Sequence, residues 1–194
     1  MHDPAVELYR AVFLDRDGTI NEEVGYLSKF DQLKLIPRAA AAIRMLNRRS
    51  IPVVVVTNQS GVARGYFGEN FIREFHDFLQ SNLRMEEAHI DAFYYCPHHP
   101  TEGHGSYRRI CACRKPGTGM LLQAAQDLCI DLSRSYMVGD MMKDVLTARN
   151  TGVKGILVRT GYGAGETIDG DVIPDYQALD LFDAVEWILE DMKR

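Results

Sequence analysis

The segment Pro52–Val56, which reads PVVVV, constrains the fold more than any other part of the chain. A continuous run of β-branched residues is typical of a strand that is buried on both faces of a parallel sheet. Further short apolar runs recur along the sequence, at Ala11–Leu14, Ala92–Tyr95, Tyr136–Val138 and Gly155–Val158. Helix-like segments separate these runs, so we expect βαβ units and an α/β fold with a doubly wound, Rossmann-like parallel sheet.

The helix-like segments between the strands are recognised by the spacing of their apolar residues. One segment from about residue 69 to 83 is expected to place Phe71, Phe75, Phe78 and Leu79 on one buried face. A later segment is expected to bury its own apolar positions in the same way, namely Leu121, Leu122, Ala125 and Leu128. These faces would cover the sheet.

Length and composition limit the classes of protein to which the chain can belong. With 194 residues, 46% of them hydrophobic, we expect a single domain over residues 1–194. A formal net charge of −5 argues against a nucleic-acid partner, and no apolar run approaches the roughly 18 residues that cross a membrane. The first ten residues, MHDPAVELYR, do not resemble a signal peptide, so we expect a cytoplasmic protein, with a monomer as the default.

A pair of carboxylates stands where the first strand ends. Asp15 and Asp17 are two positions apart, which places both side chains on the same side of an extended chain, and Gly18 permits a sharp turn there. Two adjacent carboxylates repel each other unless a cation lies between them or one holds a proton. The pair therefore suits either a divalent metal with acid/base chemistry or an ordinary Asx turn, and the pair alone does not decide between them.

Other polar groups follow later strands. Thr57 is the first residue of TNQSG, which follows the second strand, and Arg114 and Lys115 lie in CRKPG. Asp140 is the first of the two acids in GDMMKD, which follows the fourth strand. Ligands of doubly wound sheets bind at the carboxyl ends of the strands. A hydroxyl, a lysine and two acidic clusters are therefore expected at one site.

In this order, DRDGT, TNQSG, RKP and GDMMKD resemble the four motifs of the haloacid-dehalogenase superfamily of phosphatases. The resemblance implies that Asp15 is the nucleophile that forms an aspartyl-phosphate and that Asp17 is the general acid and base. It implies that Thr57 and Lys115 bind the phosphoryl oxygens, and that Asp144 orients Lys115 or a metal-bound water. It also implies a Mg²⁺ site formed by the side chains of Asp15 and Asp140 and the main-chain carbonyl of Asp17.

The segment 96–113 is expected to be a small insertion held by a structural Zn²⁺ ion. CPHHP and CAC supply Cys96, His98, Cys111 and Cys113, and four protein ligands would leave no open position for a catalytic water. His99 and His104 are alternative ligands, and the superfamily resemblance favours His98. The short spacings between the motifs leave no room for a large cap domain, so this loop is expected to lie near the substrate.

Within the superfamily, the chain resembles the heptose-bisphosphate phosphatases, and the histidinol phosphatases are near relatives. The resemblance implies a small phosphorylated sugar as the substrate. The residues implied to bind it are Glu23, Val24, Gly25, Tyr26, Thr57, Asn58, Gln59, Ser60, Arg64, Arg114 and Lys115. Arg108 and Arg109 in the zinc loop are further cations that favour a doubly phosphorylated ligand, since guanidinium groups form paired hydrogen bonds with phosphate.

Three alternatives to a heptose-bisphosphate phosphatase remain at this point. A histidinol phosphatase or another small-molecule phosphatase would use the same catalytic motifs. A phosphoacceptor receiver domain also gathers acids, a threonine and a lysine at strand ends, although such domains are shorter. A zinc-organised binding module without turnover would leave Asp15, Thr57, Lys115 and Asp140 without a role.

Overall fold

A computed structural model describes residues 8–168 and 171–194 as one six-stranded parallel sheet with helices on both faces. The strands are β1 (Val12–Leu14), β2 (Val53–Asn58), β3 (Ala92–Cys96), β4 (Tyr136–Gly139), β5 (Lys154–Val158) and β6 (Tyr176–Ala178). The helices are α1 (Ala39–Asn47), α2 (Glu69–Met85), α3 (Gly119–Asp127), α4 (Met142–Thr151) and α5 (Leu181–Asp191). The five expected strands and the doubly wound sheet are confirmed, and β6 is an addition.

The strand order is β3-β2-β1-β4-β5-β6, so β1 lies in the middle of the sheet. Val12 pairs with Val53 of β2 on one side and with Tyr136 of β4 on the other. The chain winds outward from β1 in both directions. The carboxyl ends of β1, β2 and β4 consequently lie side by side, which is the switch point where such folds bind ligands.

Successive residues of β2 face two different hydrophobic cores. Val53 and Val55 belong to a core formed with α1, α5 and the second half of α2, whereas Val54 and Val56 pack against α3 and Ala148 of α4. All four valines are fully buried. This two-sided burial explains why the sequence of the strand shows no alternation of apolar and polar residues.

Two expected helical faces differ from those in the structure. In α2 the buried positions are Ile72, Phe75, His76, Leu79 and Leu83. Phe71 and Phe78 lie at the edge of this face and pack against Phe30 from the loop that follows β1. In α3, Leu121 is buried but Leu122 is about half exposed, because Met120, Leu121 and Ala124 face the sheet.

The connections at the carboxyl edge of the sheet are short. Only a 3-10 turn, Phe30–Gln32, and α1 lie between β1 and β2, and α2 alone connects β2 to β3. Within residues 8–168, therefore, no cap domain is inserted, as expected. None of the helices in the described parts of the chain has the length and apolar character needed to span a membrane.

Candidate active site

Lys115 lies between two carboxylates at the carboxyl ends of the strands. Its Nζ atom is 2.9 Å from Oδ1 of Asp15, at the end of β1, and 2.7 Å from Oδ1 of Asp144, on the first turn of α4. Burial alone would lower the pKa of this lysine, but the two carboxylates outweigh burial and raise its pKa. Lys115 is therefore a permanent cation beside Asp15, as the motif resemblance implies.

Asp140 completes a cluster of three acids. Carboxylate oxygens of Asp15, Asp140 and Asp144 all lie within 4.8 Å of one another. Burial, followed by the charge of Asp15, raises the pKa of Asp140 to about 7. Buried carboxylates this close are stabilised by a divalent cation, and an all-oxygen donor set is the kind that Mg²⁺ prefers. The residues present thus fit the magnesium site expected from the sequence.

Two glycines allow the chain to pass close to Asp140. A Cβ atom on Gly18 would lie 2.1 Å from Oδ2 of Asp140, and one on Gly161 would lie 2.2 Å from the same oxygen. The loop after β5 also holds this carboxylate, because the Tyr162 N–H donates to Oδ2 of Asp140 at 2.8 Å. Thr160 in that loop donates its hydroxyl to the Gly18 carbonyl at 2.6 Å. The turn after β1 and the loop after β5 are therefore packed directly against each other.

Three side chains hold the Asp17 carboxylate. The Arg16 guanidinium donates to Oδ2 at 2.7 Å, Asn21 donates to Oδ1 at 2.9 Å, and Gln59 donates to Oδ2 at 2.8 Å. Burial opposes ionisation of Asp17, but these donors outweigh it and lower the pKa of the carboxyl group. The Asp17 side chain is thus not part of the three-acid cluster. This agrees with the resemblance, which assigns only the main-chain carbonyl of Asp17 to the metal.

Gln59 and Asn58 connect the end of β2 to Asp17 and Lys115. The Gln59 side chain donates to Thr57 Oγ1 at 2.9 Å as well as to Asp17. The Asn58 amide forms paired hydrogen bonds with the main chain of Lys115, donating to its carbonyl at 3.1 Å and accepting from its N–H at 3.0 Å. Asn58 therefore orients Lys115, a role that the sequence did not indicate.

These groups surround a small polar cleft of about 180 Å³. Most of the expected site residues line it, namely Asp15, Asp17, Glu23, Gly25, Tyr26, Thr57, Asn58, Gln59, Ser60, Arg114 and Asp140. Lys115 reaches the cleft through its contact with Asp15. Val24 and Arg64 are not part of the lining, and neither are Arg108 and Arg109 of the segment 96–113.

Arg64 instead supports the residues around the cleft. Its guanidinium lies over the Tyr26 ring, 5.6 Å from the centroid, and 3.7 Å from the carboxylate of Glu102. Tyr26 also packs edge-on against Tyr66, with the ring centroids 4.8 Å apart. In this structure Arg64 therefore joins the loop after β1 to the loop that contains Glu102.

The four expected zinc ligands come together in a second cluster, which shares no residue with the three acids. The Sγ atoms of Cys96, Cys111 and Cys113 lie 3.2 to 3.5 Å from one another. Nδ1 of His98 is 3.6 Å from the sulfur of Cys96 and 3.4 Å from that of Cys113. Four ligands of one tetrahedral zinc ion would lie roughly 3.3–3.8 Å apart, so this cluster can hold a metal ion. His99 is not part of it, because its Nδ1 accepts the Glu102 N–H at 2.9 Å.

The Cys/His cluster is connected to the cleft through Arg114. This residue follows Cys113 directly, lines the cleft, and donates to the carbonyl of His98 at 3.0 Å. On the other side of the loop, Tyr107 and Tyr95 both donate to the carboxylate of Glu69, at 2.7 and 2.6 Å. The position of a cleft guanidinium thus depends on the loop that the cluster organises.

Five cleft residues were missed by the reasoning from sequence, and one of them is Gly61, in the loop after β2. Met141 and Lys143 lie at the start of α4, Tyr162 lies in the loop after β5, and Leu27 lies in the loop after β1. Lys143 stands inside the GDMMKD motif, and Tyr162 follows a strand end in RTGYG, so the position of each after a strand could have indicated a site residue.

Comparison with known proteins agrees with this geometry. Residues 112–184 match the family model described as HAD-hydrolase-like. D-glycero-beta-D-manno-heptose-1,7-bisphosphate 7-phosphatase of Haemophilus influenzae is 42% identical over 95% of this chain and 99% of its own. The enzyme named D-glycero-D-manno-heptose-1,7-bisphosphate 7-phosphatase in Thermosynechococcus vestitus is 45% identical over 92% of this chain and 94% of its own.

A solved structure is also similar. The D,D-heptose 1,7-bisphosphate phosphatase from B. bronchiseptica, crystallised with magnesium and phosphate, superimposes with a TM-score of 0.83. It is 32% identical, and the match covers 94% of this chain and 99% of that one.

Proposed function

This chain belongs to the haloacid-dehalogenase-like hydrolases, in the family of the heptose-1,7-bisphosphate 7-phosphatases, and we propose that it hydrolyses the 7-phosphate of D-glycero-D-manno-heptose 1,7-bisphosphate. The product is the heptose 1-phosphate, whose remaining phosphate is available for nucleotide activation. The observation that carries the proposal is the buried contact of Lys115 with Asp15 and Asp144 beside Asp140.

In the first step, a carboxylate oxygen of Asp15 attacks phosphorus while the bond between phosphorus and the sugar oxygen breaks. Asp17 gives a proton to the departing alkoxide, which leaves as the sugar hydroxyl. Because the donors around Asp17 favour its ionised form in the free protein, this role requires the negative charge of the bound phosphate to raise the pKa of Asp17. Lys115 and the hydroxyl of Thr57 contact the phosphoryl oxygens, where negative charge is concentrated in the transition state. The product of this step is an aspartyl-phosphate on Asp15.

In the second step, Asp17 takes a proton from the water that attacks the aspartyl-phosphate, and inorganic phosphate leaves. The hydrogen bonds from Arg16, Asn21 and Gln59 fix the direction of the Asp17 carboxylate for both transfers. A receiver domain would keep its phosphoryl group, whereas the nearby acid/base carboxylate in this cleft supports turnover. Neither the receiver domain nor the binding module agrees with the family to which the chain belongs.

We propose Mg²⁺ at Asp15, Asp140 and the Asp17 main-chain carbonyl, and Zn²⁺ at the Cys/His cluster. Mg²⁺ would supply positive charge that offsets the repulsion between the Asp15 carboxylate and the phosphate. Zn²⁺ suits a donor set of three thiolates and one imidazole. Because four protein ligands would fill its tetrahedral coordination shell, the proposed zinc ion has a structural role. Thiols that bind metal also favour a reducing compartment, so we propose a cytoplasmic protein, with a monomer as the default.

Phosphate release from a panel of substrates tests the proposal. The panel contains both anomers of heptose 1,7-bisphosphate, fructose 1,6-bisphosphate and histidinol phosphate. We expect the highest kcat/KM for one or both heptose bisphosphate anomers, and phosphorus NMR should show that the 1-phosphate is retained. Comparable kcat/KM for histidinol phosphate, or loss of the 1-phosphate, would contradict the proposed function.

A further inference from the structure

Two cations line the described walls of the cleft. They are Arg114, which is held by the His98 carbonyl, and Lys143, whose role neither the motif resemblance nor the proposed reaction defines. Four carboxylates line the same cleft, from Asp15, Asp17, Glu23 and Asp140. A substrate with two phosphate groups brings further negative charge into this cleft, so each cation of the cleft lining strengthens the binding of that substrate.

Lys143 stands at a position that its own helix does not favour. It is the second residue of α4, where the exposed N–H groups of the first turn make the end of the helix electropositive. A lysine there is destabilising relative to a neutral residue, whereas Asp144, the next residue, is favourable. The helix end therefore provides no reason for a cation at this position, although the charge of Lys143 favours the ionised forms of three nearby acids, Glu23, Asp140 and Asp144.

These acids act on Lys143 at a longer range than an ion pair. Among the described residues, no carboxylate oxygen lies within 4.0 Å of its Nζ atom. Its nearest polar neighbour is the thioether sulfur of Met141 at 3.0 Å, which is a weak acceptor. Lys115 differs in every respect, since it is fully buried and its charge is matched by Asp15 and Asp144. Lys143 is thus a half-buried cation on the cleft wall with unused donors.

We propose that Lys143 binds the phosphate that the enzyme does not remove, and so selects a sugar bisphosphate over a sugar monophosphate. This inference rests on the proposed function, because it takes Asp15, Thr57 and Lys115 to be occupied by the phosphoryl group in transfer. An ammonium group that is bonded within the described residues only to a weak thioether acceptor can form charge-assisted hydrogen bonds with a phosphate dianion. Arg114 and Lys143 come from different elements of the fold, so the retained phosphate has a second cation that does not depend on the Cys/His cluster.

The test compares two substrates in Lys143→Met, Lys143→Gln and Lys143→Arg. The substrates are heptose 1,7-bisphosphate and heptose 7-phosphate, which differ only in the retained phosphate. In the Met and Gln variants, the ratio of kcat/KM for the bisphosphate to kcat/KM for the monophosphate should fall about tenfold, mostly through KM of the bisphosphate. Lys143→Arg should recover most of the ratio. Lys193→Met removes an exposed lysine near the C-terminus and should leave the ratio unchanged.

Inhibition by heptose 1-phosphate is a second measurement, because this product carries only the retained phosphate. Its inhibition constant should rise in Lys143→Met and Lys143→Gln by a factor similar to that for the KM of the bisphosphate. An equal loss of kcat/KM for both substrates would overturn the inference, because it would place Lys143 at the transferred phosphoryl group or at the acids. An unchanged ratio would also overturn it. Failure of the wild-type protein on heptose 1,7-bisphosphate would instead refute the proposed function, and the inference with it.

Discussion

Lys115 and Asp144 form an ion pair of 2.7 Å in which neither side chain is exposed to solvent. Asp144→Asn would leave a buried ammonium with Asp15 as its remaining carboxylate partner. We expect the free energy of unfolding to fall by about 3 kcal/mol, because the ammonium group stays buried while one of the charges that stabilise it there is lost. Urea unfolding measures this, and Asp77→Asn, on the exposed side of α2, is the control. A loss no larger than that of the control would show that the pair does not stabilise the fold.

Asp15→Asn tests the nucleophile. We expect phosphate release to fall at least about 10³-fold while the fold is retained, because an amide is a poor nucleophile and Lys115 keeps Asp144 as a partner. Mass spectrometry after rapid quenching should detect a phosphoryl group on the wild-type protein and none on the variant. Asp17→Asn should slow release but still permit attachment to Asp15. Rates near the wild-type value in Asp15→Asn would refute the assignment.

Gly161→Ala tests whether the loop after β5 positions Asp140. The added Cβ atom would lie 2.2 Å from Oδ2 of Asp140, at a positive φ of 55° that disfavours any side chain. We expect a loss of about 2 kcal/mol in stability and a smaller rise in melting temperature on addition of Mg²⁺. Gly165→Ala in the same loop is the matched control, since its Cβ atom would be 3.8 Å from the nearest atom. Equal magnesium responses in the two variants would contradict a positioning role.

His76 predicts a stability loss in mild acid. Burial, followed by the charge of Arg16, lowers the pKa of this histidine from 6.5 to about 3. Below pH 6.5 the unfolded chain binds a proton that the folded chain does not, so the free energy of unfolding falls as the pH falls towards 3. Between pH 6.5 and 4.5 the wild-type protein should lose about 2 kcal/mol more than His76→Gln. If the free energies of unfolding of the two proteins fell in parallel over this range, His76 would bind its proton equally well in the folded and unfolded states, and its pKa would not be lowered by the fold.

Removal of the Cys/His cluster should affect both stability and the cleft. In Cys113→Ser we expect the zinc content, measured by elemental analysis, to fall well below one ion per chain. The melting temperature should fall, because metal binding contributes to the folding of the loop. KM should rise, since Arg114 is held by the carbonyl of the ligand residue His98. Cys129→Ser, outside the cluster, is the control and should keep its zinc. Purified wild-type protein without zinc would refute the assignment.

The sheet could be predicted well because its strands are buried on both faces. Such strands have unbroken apolar sequences, as in β2, and the polar residues that follow them mark the edge where ligands bind. This reasoning correctly predicted that Asp15, Lys115 and Asp140 lie together. β6 was missed because its three residues, YQA, carry no pattern that distinguishes a strand from a loop.

The outer parts of the site could not be predicted in the same way. Tyr162 and Lys143 enter the cleft from a loop and a helix start, and their distance from Asp140 depends on how these elements pack. Arg64 stays a prediction as a phosphate ligand, because its guanidinium lies over Tyr26 beside the cleft and is not part of the cleft lining. Along α2, Phe71 and Phe78 share the helical spacing of the buried face, yet they pack against Phe30 at its edge. Spacing along a helix does not reveal which partner covers each residue.

The close backbone contact between Gly18 and Gly161, which only glycine permits at both positions, limits how the sequence of this protein can diverge. A Cβ atom on Gly161 would lie 2.6 Å from the Cα of Gly18, so neither backbone can shift without displacing the other. Insertions and substitutions near this contact would disturb catalysis at once. New substrate preferences are therefore expected to arise in the peripheral segments around Tyr26, Tyr66 and Tyr107. The sequences of these segments can change while the acids and Lys115 keep their positions.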